Sequence, residues 1–362
     1  MNRRRVAIVL FNLGGPDRPE SVKPFLRNLF TDPAILRVPF YVRPILARII
    51  ARARLRPASE NYALLGGKSP LLPLTEQQAR ALEAEFTDID ARCFIAMRYW
   101  HPFSLQAARE VKAWEPDEVV LLPLYPHYST TTTGSSLTAW REAAARVGLI
   151  KPTITVCCYH TDAGFIGATA RNVRKSYREA IATLAGAHPL RVLFSAHGLP
   201  EKIIREGDPY QQQVEQTVAA VVAELGMPDL DAVVCYQSRA TPQKWIGPST
   251  EEELERAAQD ATAVLVVPIA FVSEHSETLV ELDVEYRDVA NRIGVPGYFR
   301  VPTQNADPGF IASLRDLVRR ALTRGCGLGS FCGFRVCPPS ASACPCRLAP
   351  APLAARVLEV AA

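Results

Sequence analysis

The sequence lacks any long hydrophobic run and any strong excess of charge of one sign. No apolar stretch approaches the roughly 18 residues that a membrane-spanning helix needs. The net charge is only +4, and no basic tract is interleaved with aromatic residues, so the sequence does not favour nucleic-acid binding. With 48% apolar and 22% charged residues, the composition is that of a globular protein, which we expect to be cytoplasmic.

The N-terminal segment lacks both a signal-peptide cleavage pattern and a nucleotide-binding loop. Three arginines precede an apolar run over residues 6–13, but the chain continues into GGPD without the small residues of a cleavage site. The segment NLGGPD matches neither G-x-G-x-x-G nor the P-loop pattern. We therefore predict a first β-strand here and no nucleotide site.

Short apolar runs alternate with helical patterns along most of the chain. The runs predict eight strands, four in each half, at residues 6–13, 93–99, 118–125, 153–159, 191–196, 232–236, 263–272 and 297–301. Strands that alternate with helices form parallel sheets covered on both faces. The predicted fold class is α/β, with two doubly wound, Rossmann-like lobes that each hold a parallel four-stranded sheet, and a cleft between them. We expect an N-terminal lobe at 1–160, a C-terminal lobe at 161–325 and a cysteine-rich tail at 326–362.

A predicted strand that ends in polar residues carries the strongest functional signal. After the apolar run at 263–272, His275 and Glu277 are followed by Glu281 and Glu285 at four-residue steps, which place the carboxylates on one helix face. Ligands of open α/β sheets bind beyond the carboxyl ends of strands. Imidazole and carboxylate groups suit a divalent metal such as Fe(II). A solvated helix face is the alternative, and a local π-bulge would help to align the carboxylates.

Three further polar segments follow predicted strands. His197 ends a strand within SAHGLP, where it could serve as a base, a metal ligand or a buried structural residue. The loop at 125–136, YPHYSTTTTGSS, supplies hydroxyl and backbone N–H donors that suit an anionic group, or that simply cap the next helix. Trp245 lies in a predicted loop and either lines a flat aromatic ligand or covers the core.

Residues 34–57 form a basic and apolar segment. Arginines alternate with aliphatic and aromatic residues, and no acidic residue occurs between Asp32 and Glu60. Such a segment can lie on an anionic membrane surface or form an apolar lip over a pocket. An ordinary helix with solvated arginines is the equal alternative.

The chain has nine cysteines, of which five crowd near the C-terminus, at Cys326, Cys332, Cys337, Cys344 and Cys346. Stable disulfides are rare in the cytosol, so metal or iron–sulfur ligation is the more informative hypothesis for them.

Six segments in fixed order make the chain resemble the ferrochelatases, which insert Fe(II) into protoporphyrin. They are FNLGGPD, RYWHP, LYPHYSTTTTGSS, SAHGLP, YQSRATPQKWIGPST and PIAFVSEHSETLVELDVEY. The resemblance covers about residues 5–325. It implies a bilobed chelatase-like fold and the synthesis of protohaem from protoporphyrin IX and Fe(II), the last step of haem biosynthesis.

The resemblance also implies roles for individual residues. His197 and Glu277 would face each other across the cleft and contact the incoming iron or the pyrrole nitrogens. His275, Glu281 and Glu285 would form a route for protons or metal. The positions that match the porphyrin pocket are Leu13, Arg98, Tyr99, Tyr125 and Trp245. Leu13 stands where family members carry Met or Tyr, which argues against an axial contact, and residues 34–57 match the pocket lip.

The C-terminal cysteines resemble those of family members that hold a [2Fe–2S] cluster. The animal pattern places the fourth ligand where this chain has Thr130, which excludes that version. A bacterial pattern resembles Cys337, Cys344 and Cys346 with a fourth ligand at Cys157 or Cys158. Because neighbouring strand residues point to opposite faces, we expect one of these two to ligate, and we select Cys158. A zinc site and a tail with incidental cysteines are the alternatives.

Two rival functions remain open from the sequence. One is a chelatase for coproporphyrin or for another tetrapyrrole or metal. The other is a non-catalytic, bilobed haem- or metal-binding protein, which would need no paired base and acid across the cleft. Peripheral contact with the inner face of the membrane is expected from the lip, and the sequence defines no oligomeric state.

Overall fold

The computed structural model describes residues 3–238, 243–325 and 327–348. Its nine strands within this part of the chain are β1 Arg5–Asn12, β2 Asp90–Met97, β3 Glu118–Pro123, β4 Thr153–Val156, β5 Leu190–His197, β6 Ala232–Gln237, β7 Ala263–Pro268, β8 Tyr298–Arg300 and β9 Gly327–Gly329. All pairings between neighbouring strands are parallel. The α/β class with two parallel sheets is confirmed.

Helices connect the strands. They are α1 Val22–Thr31, α2 Arg43–Leu64, α3 Leu71–Ala84, α4 Ser104–Trp114, α5 Thr133–Val147, α6 Ala163–Leu184, α7 Glu201–Arg205, α8 Tyr210–Leu225, α9 Thr250–Gln259, α10 Tyr286–Ile293 and α11 Pro308–Arg324. A π-helix at Glu277–Glu285 runs directly into α10. Within the described residues, no helix is long and apolar enough to cross a membrane.

The alternation of side chains along β1 explains why both faces of the first sheet are covered. Val6, Ile8 and Leu10 belong to a large core that lies between the two sheets. Ala7 and Val9 point the other way, into a second core against helices α4 and α5. Because successive strand residues face opposite sides, one fully buried strand requires a helix layer on each face.

The order of strands places one switch point in each sheet. The first sheet has the order β2-β1-β3-β4-β9 and the second β6-β5-β7-β8. From β1 the chain passes to β2 on one side and then returns to β3 on the other side of β1. In the second sheet it passes from β5 to β6 on one side and returns to β7 on the other side of β5. Ligands of open parallel sheets bind at the carboxyl ends of the strands at these points.

The first sheet has five strands, where the sequence predicts four. The additional strand, β9, pairs with β4, so part of the cysteine-rich tail extends the first sheet. Helix α11 packs against α6 and also against α3 of the first half. The division of the chain into units at residues 160 and 325 stays a prediction, and residues 349–362 of the expected tail lie outside the described residues.

Residues 34–57 contain the first two thirds of helix α2. Ala47 and Ala51 are buried, whereas Ile45 and Ile49 are about 60% exposed on the opposite side. Phe40, just before the helix, is 79% exposed. The segment is thus a helix packed on the core, as one alternative predicts, and it also presents an apolar surface to solvent.

Candidate active site

His197 and Glu277 meet at the carboxyl ends of two neighbouring strands of the second sheet. His197 is the last residue of β5, and Glu277 begins the π-helix that follows β7. The Nδ1 atom of His197 lies 3.0 Å from Oε2 of Glu277. His275 approaches the same carboxylate oxygen, with its Nε2 at 3.7 Å. Two imidazoles therefore flank one carboxylate at the predicted edge of the sheet.

The electrostatics of this group are dominated by the pairing of opposite charges. Burial disfavours the protonated form of His197, but the carboxylates of Glu277 and Glu281 outweigh it and raise the pKa of His197 from 6.5 to about 8. Burial alone would raise the pKa of Glu277, yet His197 and His275 hold it well below its usual range. Burial and the charge of Glu277 raise the pKa of Glu281. Glu277 is therefore the permanent carboxylate, and Glu281 takes up a proton more readily.

The carboxylates of this face are carried by a π-helix, a form that is rare and frequent at functional sites. The sequence predicts a local π-bulge, and the structure extends it over nine residues, Glu277–Glu285. Glu281 lies behind Glu277 and accepts hydrogen bonds from Gln237 Nε2 at 2.9 Å and from Ser238 Oγ at 2.6 Å. Both donors come from the end of β6, so three neighbouring strand ends contribute to the site.

Glu285 marks the solvent end of the same helix. Its side chain is exposed, and its Oε1 accepts a hydrogen bond from Asn61 Nδ2 of helix α2 at 2.9 Å. Glu277, Glu281 and Glu285 thus lead from the partly buried pair to the surface at four-residue steps.

Arg300 holds the outer side of the π-helix. This arginine of β8 is only 10% exposed and pairs with Glu274 at 3.0 Å and with Asp283 at 2.7 Å. Tyr298 of the same strand donates its hydroxyl to the carbonyl of Leu282 at 2.6 Å. These bonds hold the π-helix through Asp283 and Leu282, so that Glu277 and Glu281 stay available to His197.

The predicted porphyrin positions of the first sheet lie beyond the ends of β1, β2 and β3. Leu13 is partly buried after β1, and Tyr125 is partly buried after β3 with its hydroxyl enclosed and without a hydrogen-bond partner among the described residues. Tyr99 is fully buried and donates its hydroxyl to Asp32 at 2.9 Å. Arg98 pairs with Asp32 at 2.8 Å. Both Arg98 and Tyr99 therefore bond a buried aspartate, with Tyr99 fully enclosed and Arg98 partly exposed.

Trp245 lies next to the catalytic histidine candidate. Its backbone pairs with Pro200, and its ring lies about 3.4 Å from the position that a Cβ on Gly198 would occupy. The partly buried indole thus borders the turn that directly follows His197.

The structure gathers five thiols into one buried cluster. Cys157 and Cys158 follow the end of β4, and Cys337, Cys344 and Cys346 come from the tail. The Sγ of Cys157 lies 3.1 Å from that of Cys346 and 3.5 Å from that of Cys158. The expectation that these two neighbours point to opposite faces is wrong, because β4 ends at Val156 and they lie beyond it.

One described cysteine of the tail, Cys332, is not part of this cluster. It contacts Ser330 instead, with its sulfur 3.1 Å from the hydroxyl oxygen. Cys326 lies outside the described residues. In the described part of the chain, no three side chains of histidine, cysteine, aspartate or glutamate are arranged to enclose one metal ion. Hydrogen bonds from Cys337 and Cys346 lower the pKa of Cys344, which favours a thiolate in the cluster.

Several residues that shape the site were not predicted. Gln237 and Ser238 hold Glu281, Tyr210 donates its hydroxyl to the carbonyl of His197 at 3.0 Å, and Asp32 anchors Arg98. The position of Gln237 at a strand's carboxyl end is a signal that could have identified it. Tyr210 and Asp32 carry no such signal, because their contacts depend on how distant segments pack.

Known proteins resemble this chain over nearly its whole length. The family model for ferrochelatase matches residues 5–322. Ferrochelatase from Caulobacter vibrioides (strain NA1000 / CB15N) is 52% identical over 349 residues, covering 95% of this chain and 98% of the relative. Ferrochelatase from Phenylobacterium zucineum (strain HLK1) is 50% identical over 348 residues, with 95% and 98% covered.

Solved structures agree on the fold. SirB from Bacillus subtilis with Fe3+ superposes with a TM-score of 0.50 at 12% identity and covers 88% of this chain and 95% of its own. The sirohydrochlorin chelatase SirB from Bacillus subtilis subspecies spizizenii, in complex with cobalt, gives the same TM-score and identity, with 88% and 96% covered. At this identity the likeness concerns the fold alone. The family model and the relatives at about half identity show that this chain belongs to the ferrochelatase family.

Proposed function

We propose that His197 and Glu277 together carry out the reaction of this enzyme, the insertion of Fe(II) into protoporphyrin IX to form protohaem. The single observation behind the proposal is the contact of 3.0 Å between the imidazole and the carboxylate, at the switch point of the second sheet. A non-catalytic binding protein has no need for such a pair of base and carboxylate facing a cleft.

The chemistry requires a proton acceptor and a weak metal ligand. Protoporphyrin loses two pyrrole protons as Fe(II) enters, so the products are protohaem and two protons. In its neutral form, the imidazole of His197 accepts a pyrrole proton, and the carboxylate of Glu277 stabilises the imidazolium that results. The same carboxylate attracts the incoming cation. Because few protein ligands contact the iron, it is passed to the ring and is not retained as in a closed four-ligand site.

We propose that His275, Glu281 and Glu285 form the route by which protons leave, or the metal enters. The proposal is supported by the contact of His275 with Glu277 at 3.7 Å, by the electrostatic influence of Glu277 on Glu281, and by the exposure of Glu285. The raised pKa of Glu281 supports a role as an intermediate proton carrier, since it exchanges a proton closer to neutral pH than an ordinary glutamate does.

The porphyrin is proposed to lie between the strand ends of the two sheets. Leu13 and Tyr125 border this space from the first sheet, and Trp245 borders it beside His197. Arg98 and Tyr99 act from behind, through Asp32, by fixing the loop that follows β2. Apolar and aromatic side chains suit a flat macrocycle, which buries most of its area on binding.

The proposal is tested by anaerobic Fe(II) insertion, and by Zn(II) insertion, into protoporphyrin IX. We expect insertion by the wild type and a loss of at least about 100-fold in kcat in His197→Ala and in Glu277→Gln, the range for removal of a general base. His188→Ala and Glu255→Gln are matched controls, because both residues lie outside the site. An inactive wild type, or full activity in both site variants, would refute the assignment. Parallel assays with coproporphyrin decide the tetrapyrrole preference.

We also propose that the segment 34–57 contacts an anionic membrane surface on the cytoplasmic side. Its exposed Phe40, Ile45 and Ile49 supply an apolar patch, and exposed arginines surround it. Sedimentation with phosphatidylcholine vesicles that contain phosphatidylserine tests this contact. The double variant Phe40→Ser, Ile45→Ser should stay in the supernatant. Ile150→Ser, which removes an isoleucine that is 90% exposed elsewhere, should sediment like the wild type. Equal sedimentation of all three proteins would contradict the proposal.

The cysteine cluster is proposed to hold a [2Fe–2S] group. The donor set fits, because Cys337, Cys344 and Cys346 meet Cys157 and Cys158 in one buried place. The group would supply a one-electron redox centre, and the metallation chemistry above does not pass through it. Cys157 contacts Cys346, and Cys158 contacts Cys157, so both are candidates for the fourth ligand.

Cysteine variants test this site. We expect Cys344→Ser to lose the visible absorption and the bound iron of protein purified anaerobically, and Cys332→Ser, a tail cysteine outside the cluster, to keep both. Comparison of Cys157→Ser with Cys158→Ser identifies the fourth ligand. A colourless wild type with bound zinc would replace the iron–sulfur group by a zinc site, and a metal-free wild type would reject both.

A further inference from the structure

The loop between the tail cysteines rests on the start of helix α8. The side-chain amide of Gln213 donates to the sulfur of Cys337 at 3.2 Å. The backbone N–H of Ala343 donates to the carbonyl of Gly207 at 3.1 Å, and the hydroxyl of Ser342 donates to the carbonyl of Glu206 at 3.1 Å. Three bonds from three tail residues thus converge on one helix end.

The approach of the two segments at Gly207 is close. A Cβ at this position would lie 2.1 Å from the hydroxyl oxygen of Ser342 and 2.7 Å from its backbone nitrogen. Gly207 also has a φ of +92°, which L residues rarely adopt. The tail loop is therefore packed against this turn without room for a side chain.

The same helix end holds the catalytic histidine. Tyr210, the first residue of α8, donates its hydroxyl to the backbone carbonyl of His197 at 3.0 Å. Tyr210 is 6% exposed and Gln213 is 1% exposed. Because the two residues are three positions apart in one helix, they lie on the same face. One helical turn therefore separates a contact with the thiol cluster from a contact with His197.

Asp208 fixes this turn to a further segment. Its Oδ1 accepts from the N–H of Tyr210 at 3.1 Å, and its Oδ2 accepts from the N–H of Thr130 at 2.7 Å and from the hydroxyl of Ser129 at 3.0 Å. The N–H of Tyr128 in the same loop donates to Oε1 of Gln213 at 2.7 Å. The turn is thus hydrogen-bonded both to the tail and to the loop at 128–130.

We infer that the tail loop positions His197 through the first turn of α8, with Gln213 and Tyr210 as the positioning residues. The inference rests on the proposed role of His197. The thiol cluster then has a structural function that requires no electron transfer. An ordered cluster fixes Cys337, which accepts a hydrogen bond from Gln213, and Gln213 in turn fixes the first turn of α8, which supports His197. Loss of the group at the cluster then lowers the rate of metallation without touching the substrates.

The test is a double-mutant cycle between Gln213→Leu and Tyr210→Phe, measured on Zn(II) insertion. Tyr210→Phe removes one hydrogen bond of the support, and Gln213→Leu removes two, to Cys337 and from Tyr128. Each single variant should therefore lower kcat by at least about threefold. KM for porphyrin and for zinc should stay within about twofold of the wild type. If both residues act through one support, the kcat of the double variant should lie within about twofold of the kcat of the slower single variant. Gln211→Leu, a variant of an amide on the same helix that bonds only Glu215 among the described contacts, should match the wild type.

A second readout does not depend on activity. Hydrogen exchange of the peptide that spans residues 194–200 should accelerate in Gln213→Leu and stay unchanged in Gln211→Leu. If Gln213→Leu does not fold, Ser342→Ala removes a bond of the same contact from the tail side. Single effects that multiply in the double variant, or unchanged exchange at 194–200, would overturn the inference. An inactive wild type would instead refute the proposed function, and the exchange measurement would still decide the coupling.

Discussion

The carboxylate of Glu277 controls the protonation of His197, and the substitution Glu277→Gln removes its charge with little change in shape. In the wild type, burial opposes protonation of His197, yet the neighbouring carboxylates raise its pKa from 6.5 to about 8. Without the charge of Glu277, the main interaction that raises the pKa of His197 is lost. We therefore expect the pKa of His197 in Glu277→Gln to fall below 6.5.

The magnitude follows from the difference between these two values. At 1.36 kcal/mol per pKa unit, a change from about 8 to 6.5 corresponds to about 2 kcal/mol. Because 37% of the His197 side chain is exposed, solvent screens the interaction, and its contribution to the free energy of unfolding is reduced to about 1 kcal/mol. A pKa raised in the folded state adds stability at pH values below the unfolded value of about 6.5, and this stability is lost as the pH rises through about 8. The wild type should lose this stability between about pH 6.5 and pH 8, and Glu277→Gln should show no such loss.

The assay is an NMR titration of protein labelled at its histidines, with His197→Ala used to assign the resonance. Urea unfolding of wild type and Glu277→Gln at pH 6 and pH 9 gives the stability difference. A His197 pKa that is the same in both proteins, or a pKa in the variant above that of the wild type, would refute the reasoning.

Three further predictions concern the pH dependence, the π-helix and the packing of α6. The kcat/KM for Zn(II) insertion should rise with pH through about 8, because His197 must be neutral to accept a proton; a rate that falls over this range would contradict its role as base. Arg300→Gln should lower the free energy of unfolding by about 3–5 kcal/mol, since it leaves two partly buried carboxylates without their partner, and Arg300→Lys should lose less in the same urea titration. Gly164→Ala should lower the free energy of unfolding by about 1–3 kcal/mol, because the new Cβ would lie 2.6 Å from the Cβ of Ser313. Gly167→Ala should not destabilise the protein, because its Cβ would meet only the tip of Arg171 at 3.7 Å. Equal melting temperatures for the two variants would count against the tight contact.

The sheets were predictable because their strands carry their own signal. All eight predicted strands are present, and the clearest of them, β1, β3 and β7, are apolar runs that are buried almost throughout. Strand β9 has no such run, because its sequence is Gly-Leu-Gly, and it becomes a strand only by pairing with β4. A pattern-based prediction cannot find an element whose order comes from its neighbour.

The site residues too were predictable only where their own sequence pattern carries the signal. The spacing of Glu277, Glu281 and Glu285 predicts one face of one helix, and the structure carries all three on the π-helix. The contact of Tyr210 with His197 depends on how the turn before α8 packs, which no local pattern records. The argument from opposite faces that separates Cys157 from Cys158 is wrong for a related reason, since β4 ends at Val156, and the selection of Cys158 stays a prediction.

The most direct test of the paired site is a double-mutant cycle between His197→Ala and Glu277→Gln, measured on metal insertion into protoporphyrin at a porphyrin concentration that saturates each variant. If the imidazole and the carboxylate work as one unit, the double variant is about as slow as the slower single variant. If the two losses multiply, His197 and Glu277 act independently, and the account of a proton acceptor supported by its carboxylate is contradicted.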